Sequence, residues 1–330
     1  MLRELAHKRI LLTGASGFVG RHLFHTLQAA GCEVRCASRN PERAHRRHPN
    51  RNWVRLDLED PPTVQPALEG CHGAYYLIHG MSDGEDYEER EAHSAKIFVT
   101  AAQQAGLQRI VYLGGVQPAG PCSRHLRSRL RTGEILRQGA VSTVELRAAM
   151  VIGNGGSSWA MVRDLSVRLP MMILPKWLQN RSQPIAVTDV VFALLAALVL
   201  PDAMVGTYDL PGPESISHRA LLQRTAAIYG RIRPLLIDVP VLTPSLSSYW
   251  IMLVTRANGK LARELVQGLT SDLLAADAGI WQLFPHYQRT PLDQAIRHAF
   301  EDENESENPS PRAQNDLTNL VKELDACMPR

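Results

Sequence analysis

The stretch Thr13-Gly14-Ala15-Ser16-Gly17-Phe18-Val19-Gly20 decides how this chain is read. It follows an apolar, β-rich run at residues 9–13 and opens a helical pattern at 19–30. Glycines at this spacing permit a tight turn, close approach of backbone to a pyrophosphate, and close packing of helix on strand. The helix that follows presents free N–H groups and the positive end of its dipole to the phosphates. A glycine motif alone is weak evidence. One seated between a first strand and a first long helix is strong.

Outward from that loop the chain alternates. Strand patterns fall at 33–37, 53–56, 74–78, 109–113 and 143–148, and helical patterns after Pro41 and at 63–68 and 87–105. Gly31, Gly70 and Gly106 stand just past the helical runs at 19–30, 63–68 and 87–105, where a left-handed residue ends a helix without strain. Such alternation predicts an α/β fold, a doubly wound parallel Rossmann sheet over residues 1–153. A smaller C-terminal substrate-side subdomain is expected over 154–300, with strands returning to the sheet. Its elements are helices at 157–169, 189–200 and 217–229, the last capped by Ser217, and strands at 206–210 and 235–239. Residues 301–330 read as a disordered acidic linker followed by a short helix, in which Leu317, Leu320, Val321 and Leu324 recur at helical spacing.

Composition narrows the function classes. The 330 residues are 45% hydrophobic and 21% charged, which excludes wholesale disorder, and a net charge of +3 gives no electrostatic case for a nucleic-acid partner. Five cysteines without a C-x-x-C pair predict reduced thiols, a cytoplasmic setting and no metal site. The apolar run 190–200 is shorter than the roughly 18 residues a membrane span needs. Segment 241–254, with Tyr249 and Trp250, reads either as a packed helix or as a peripheral membrane contact followed by Arg256, Lys260 and Arg263. No pattern sets an oligomeric state.

An NAD-specific site places an acid near the end of the second strand, about 20 residues past the first glycine. Here that strand ends Ala37-Ser38-Arg39, with no acid. Ser38 and the forked guanidinium of Arg39 suit a 2′-phosphate, so NADP(H) is favoured over NAD(H). Arg43, Arg46 and Arg47 add positive charge nearby, the last two as a solvated face.

With these residues in place the sequence resembles the atypical branch of the short-chain dehydrogenase/reductase superfamily. It looks closest to NmrA-like proteins and to proteins akin to the accessory NADPH-binding subunit of respiratory complex I. The glycine spacing, Asp57-Leu58, Tyr76-Leu77-Ile78-His79-Gly80, Arg109–Gly115, Leu146–Gly153 and Pro184–Val190 carry the likeness, in order, over residues 8 to about 230. The resemblance implies a dinucleotide site built from Thr13, Gly14, Ser16, Gly17, Phe18, Val19 and Gly20, with Asp57 and Leu58 at the adenine. Ile78, His79 and Gly80 would lie near the nicotinamide.

The resemblance also implies an acid/base Tyr, a Lys four residues later and a Ser on the preceding strand. None of the eight tyrosines here has Lys at that offset, and the Ser position is Gly114-Gly115. The helix that would carry the pair contains His125 and Arg129, four apart on one face. An imidazole near pKa 6.5 is a candidate proton donor, with Arg129 to orient it or a substrate anion. Their structural alternative is a basic helix start packed over the phosphates. His79 is a second catalytic candidate. Arg147 reads as a tie to the loop 153–156, and Asp189 as a helix cap. Trp159, Met161, Met171 and Met172 read as the lining of an apolar cleft or as core. Two functions follow: reduction of an apolar carbonyl or quinone by NADP(H), or a non-catalytic NADP(H)-dependent sensor or assembly factor linked to quinone or respiratory metabolism.

Overall fold

A computed structural model describes residues 5–79, 86–168, 171–230, 235–239, 267–304 and 309–327. In chain order it contains β1 (Arg9–Leu12), α1 (Phe18–Ala29), β2 (Glu33–Ser38), α2 (Pro41–Arg47), β3 (Asn52–Arg55), α3 (Val64–Leu68), β4 (Gly73–Tyr76) and α4 (Tyr87–Gln104). Next come β5 (Arg109–Gly115), α5 (Arg124–Gln138), β6 (Ser142–Ala148), β7 (Val151–Ile152), α6 (Ser157–Arg168) and β8 (Met171–Pro175). Then follow β9 (Arg181–Ser182), β10 (Ile185–Ala186), α7 (Val187–Val199), β11 (Thr207–Asp209), β12 (Ile216–Ser217), α8 (His218–Ile228) and β13 (Leu235–Val239). Helices α9 (Leu292–Glu301) and α10 (Pro311–Cys327) close the chain. Gly80 and segment 241–254 lie outside the described residues.

Seven parallel strands form the main sheet in the order β11-β6-β5-β4-β1-β2-β3. Chain order reverses between β1 and β4, which opens a crevice at their C-terminal ends, where open α/β sheets take their ligands. Helices α1 and α7 cover one face, and α3, α4 and α5 the other. The run 190–200 forms α7, with Val190 to Leu198 buried on every side, because the sheet, α1 and α10 enclose it. A third cluster, from Ile152, Trp159, Ala186, Leu221 and Ile296, builds the substrate side. Trp159 is therefore core.

Elements fall within a few residues of the sequence expectation. Ser217 caps α8 as read, accepting the Ala220 N–H at 3.2 Å. The segment 301–310 differs from a disordered linker at both ends. Asp302 accepts bonds from Ser310 at 2.6 Å and Arg312 at 3.1 Å, and Ser310 is buried; residues 305–308 lie outside the description. The final helix docks: Leu317, Leu320 and Leu324 are buried against α1 and α7.

Candidate functional site

The glycine loop lies in the crevice between β1 and β4. Gly14 has φ +63°, and a Cβ there would stand 2.5 Å from the Leu77 carbonyl oxygen. A Cβ on Gly20 would stand 2.2 Å from the Gly14 oxygen, so α1 packs on the loop only without a side chain at that position. Thr13 ties the loop to the end of β4: its hydroxyl donates to the Tyr75 carbonyl at 2.8 Å and accepts the Leu77 N–H at 2.9 Å. Gly17 precedes α1 with no side-chain cap, which leaves the first N–H groups of the helix for a ligand. Ser16 is exposed and Val19 half-buried.

Phe18 serves the loop differently from its neighbours. Its ring lies under a second glycine-rich turn, where Cβ atoms on Gly153 and Gly156 would each stand 2.9 Å from it. Asn154 of that turn donates to the Asp302 carbonyl at 2.5 Å, joining the turn to the C-terminal segment.

At the end of β2, Ser38 accepts the Asn40 N–H at 3.1 Å, while Arg39 is exposed. Asp57 accepts the Glu59 N–H at 3.1 Å, and Leu58 is buried in the core under α3 and α4. Ile78 is half-buried against that core.

At the other end of the crevice His79, His125 and Arg129 come together. The two imidazole centroids are 6.3 Å apart, and His125 is 9% exposed with its Nδ1 lacking a hydrogen-bond partner. Arg129 donates to the Leu113 carbonyl, and its buried Nε also has no partner. A side chain on Gly115 would meet Leu126 at 2.8 Å and Arg129 Cδ at 3.6 Å, so Arg129 fills the space beside a strand end that lacks the expected hydroxyl.

The electrostatics change the reading of His125 as a protonated acid. Burial, then Arg129 and His79 beside it, push its pKa down to about 2. Desolvation of the inner side of His79, then Arg129, lower that group too, although the residue keeps an exposed edge. Both rings are neutral at pH 7. The permanent charge at this end is the guanidinium.

Two further expectations are corrected. Arg147 binds Glu145 at 2.9 Å instead of the 153–156 loop, because the fully buried Glu145 carboxylate needs cations and takes Arg137 at 2.8 Å as well. Asp189 does not cap its own helix. It accepts Thr290 N–H at 3.0 Å, Thr290 Oγ1 at 2.8 Å and Tyr287 O–H at 2.9 Å, anchoring a distant loop, and burial raises its pKa to about 6. Sequence reasoning missed Arg51, which donates to the Ala15 carbonyl at 2.9 Å from behind the loop; no spacing or motif marks it.

The loop fits a dinucleotide on two grounds: a cradle that a Cβ would fill, and orphaned buried nitrogens on His125 and Arg129 at its far end. Residues 14–165 match the family described as NAD(P)H-binding. A 3-beta-hydroxysteroid dehydrogenase from Mycolicibacterium neoaurum is 36% identical over 114 residues, 32% of this chain and 31% of that protein. A mitochondrial NADH dehydrogenase [ubiquinone] 1 alpha subcomplex subunit 9 from Arabidopsis thaliana is 24% identical over 225 residues, 64% of this chain and 55% of that one. The match thus spans about a third of the dehydrogenase and about half of the respiratory subunit. In fold, the chain is similar to a Citrobacter sp. triphenylmethane reductase complexed with NADP(H), with TM-score 0.67, 16% identity, and coverage of 88% of this chain and 99% of that one.

Proposed function

We propose that this chain, whose residues 14–165 match the NAD(P)H-binding family, is a cytoplasmic reductase of the short-chain dehydrogenase/reductase type that uses NADP(H) in preference to NAD(H) on an apolar carbonyl or quinone. One observation carries the reading: the glycine cradle ends at a buried imidazole and a guanidinium, each with an unpartnered nitrogen. Thr13, Gly14, Ser16, Gly17, Val19 and Gly20 hold the diphosphate, Asp57 and Leu58 the adenine, and Ser38 and Arg39 the 2′-phosphate. A dinucleotide bound there supplies hydride. Arg129 stabilises the negative charge that develops on the acceptor oxygen, the task of an oxyanion-hole donor. His125, as a neutral imidazole, orients that oxygen with a hydrogen bond. The proton then comes from water, which reaches His79 at its exposed edge. The five free cysteines accord with a reducing compartment.

Cofactor choice is tested by titrating NADPH and NADH by fluorescence against the unmutated protein and Arg39→Asp. Tighter NADPH binding that inverts in the variant supports the reading, and tighter NADH binding in the unmutated protein ends it. Chemistry is tested with a carbonyl and quinone panel and with His125→Ala, which should lose turnover at unchanged NADPH affinity. Since neither histidine charges near neutrality, the rate should show no ionisation near pH 6.5. The missing Tyr–Lys pair favours a second reading, a non-catalytic NADP(H) sensor or assembly factor. No turnover across the panel, with NADPH still bound, selects it.

A further inference from the structure

Three buried polar side chains on the substrate side have no hydrogen-bond partner among the described residues: Trp159 at Nε1, Ser182 at Oγ and His218 at Nε2. They are 1%, 1% and 5% exposed. Buried groups of this kind are nearly always paired, and an unmet one weakens the fold. The setting is otherwise apolar: Ile152, Ile216, Leu221 and Ile296 join Trp159 in the third core cluster.

The backbone brings Ser182 and His218 to one corner. Ser182 of β9 pairs with Ile216 of β12, so the two side chains share a face of that ladder, and Ile216 belongs to the third cluster. On the opposite face Arg181 is exposed and spends its guanidinium on the Ser215 hydroxyl at 3.0 Å and carbonyl at 2.7 Å. His218 stands two residues after Ile216, and its N–H donates to the Asn180 carbonyl at 3.1 Å. It begins the buried stripe of α8, followed by Leu221, Leu222 and Thr225 at helical spacing. Helix α6, which carries Trp159, packs against α8.

This corner is joined to the end of the crevice that holds His125. Leu273 bridges to Ser182 on the other edge of β9, and two residues earlier Ser271 donates to the Pro121 carbonyl at 2.9 Å. Pro121 leads into the Ser123 cap of α5, the helix of His125 and Arg129. Two extended residues and one strand spacing put Ser182 on the order of 10 Å from the start of that helix. Burial, opposed by Asp272, pushes His218 down to about 4, so its ring is neutral at pH 7. A hydroxyl and a neutral imidazole suit a neutral oxygen and offer no charge to a carboxylate or phosphate. We infer that Ser182 and His218 bind a carbonyl or hydroxyl oxygen at the end of the acceptor remote from the carbonyl that is reduced. The inference rests on the reductase reading above and narrows its acceptor to a rigid, fused-ring apolar molecule with an oxygen at each end.

The test measures, by equilibrium titration of the protein loaded with NADP+, the Kd of two matched pairs of probes. One pair is a steroid dione and the monoketone that lacks its remote oxygen, and the other is anthraquinone and anthrone. At least one dione should bind about three- to tenfold more tightly than its monoketone, because the monoketone leaves Ser182 and His218 unmet. Ser182→Ala and His218→Phe should each raise that dione's Kd by a similar factor and keep the monoketone's within about twofold. Both should leave NADPH affinity unchanged and the melting temperature unchanged or higher, since an unmet buried polar group is removed. His218→Gln, which keeps a hydrogen-bonding side chain, should retain more of the preference than His218→Phe. Equal binding of diones and monoketones, or equal weakening of both by the variants, would overturn the inference. So would a melting temperature that falls in both Ser182→Ala and His218→Phe, the mark of a purely structural bond. Should His218→Phe fail to fold, Ser182→Ala decides alone. Diones that bind with this preference yet are not reduced by the NADPH-loaded protein strike the reductase reading and leave the subsite standing. An unmutated protein that binds none of the probes overturns both.

Discussion

The two ends of the crevice are built by opposite means. At the diphosphate end the chain removes side chains: Gly14 and Gly20 stand where a Cβ would meet backbone at 2.5 and 2.2 Å, and the ligand faces bare peptide groups. At the far end it adds them, placing His79, His125 and Arg129 where a strand end and a helix start converge. A backbone cradle recognises what many dinucleotides share, and it tolerates almost no substitution. On the proposed reading the cluster of three side chains sets the chemistry, and a change there leaves the glycines of the cradle in place. Binding and reaction should therefore be separable by mutation.

The largest expected effect lies at the side-chain end. If Arg129 holds the developing oxygen anion, Arg129→Met should lower kcat by about 10²–10³, the cost of removing one such donor, with the NADPH Kd little changed. Steady-state kinetics beside a cofactor titration check it. A parallel loss of affinity would show that this end also serves binding. Gly20→Ala probes the cradle. Overpacking of this kind costs about 1–3 kcal/mol, a weakening of roughly five- to 150-fold if it falls on binding. An alanine variant that binds NADPH normally would show that the loop yields, which would soften the contrast.

The effect least specific to either end of the crevice concerns pH. His22, His25 and His218 are each pushed down to about 4, chiefly by burial, so between about pH 6.5 and 4 the unfolded chain binds more protons than the folded one. Stability should then fall as pH falls through that window. Asp189, raised to about 6 by burial, works against this trend, because its folded form holds a proton more tightly. Urea denaturation of the cofactor-free protein at pH 7.5 and 5 should show a loss on the order of a few kcal/mol at the lower pH. Bound NADPH should reduce that loss, since His25 lies beside Arg51 beneath the cradle.

This contrast also explains what could be read in advance. The cradle was legible because glycines spaced in this way after a first strand suit a phosphate-binding turn, and the parallel α/β class followed from alternating periods; the strand order came only with the structure. His125 and Arg129 could be placed on one helix face by counting. Their protonation could not, since it depends on Gly115 leaving room for Arg129 and on burial that emerges only when α5 packs on β5. Arg147 was misread for a related reason. Its partner Glu145 is two residues away and fully buried, a fact that local sequence does not carry. Asp189 bonds residues about a hundred positions distant, beyond any motif.

The docking of α10 has a consequence for how the chain is made. Helix α1 is formed by residues 18–29, yet part of its cover is helix 311–327, so its outer flank is finished only by residues far later in the chain. Leu317, Leu320 and Leu324 complete a core that also holds Leu23 and Leu27. A nascent chain that has already emerged through β6 still lacks this seal and α7, and it carries an uncovered apolar strip along its first helix. Such long sequence separations slow folding and lengthen the exposure of aggregation-prone surface.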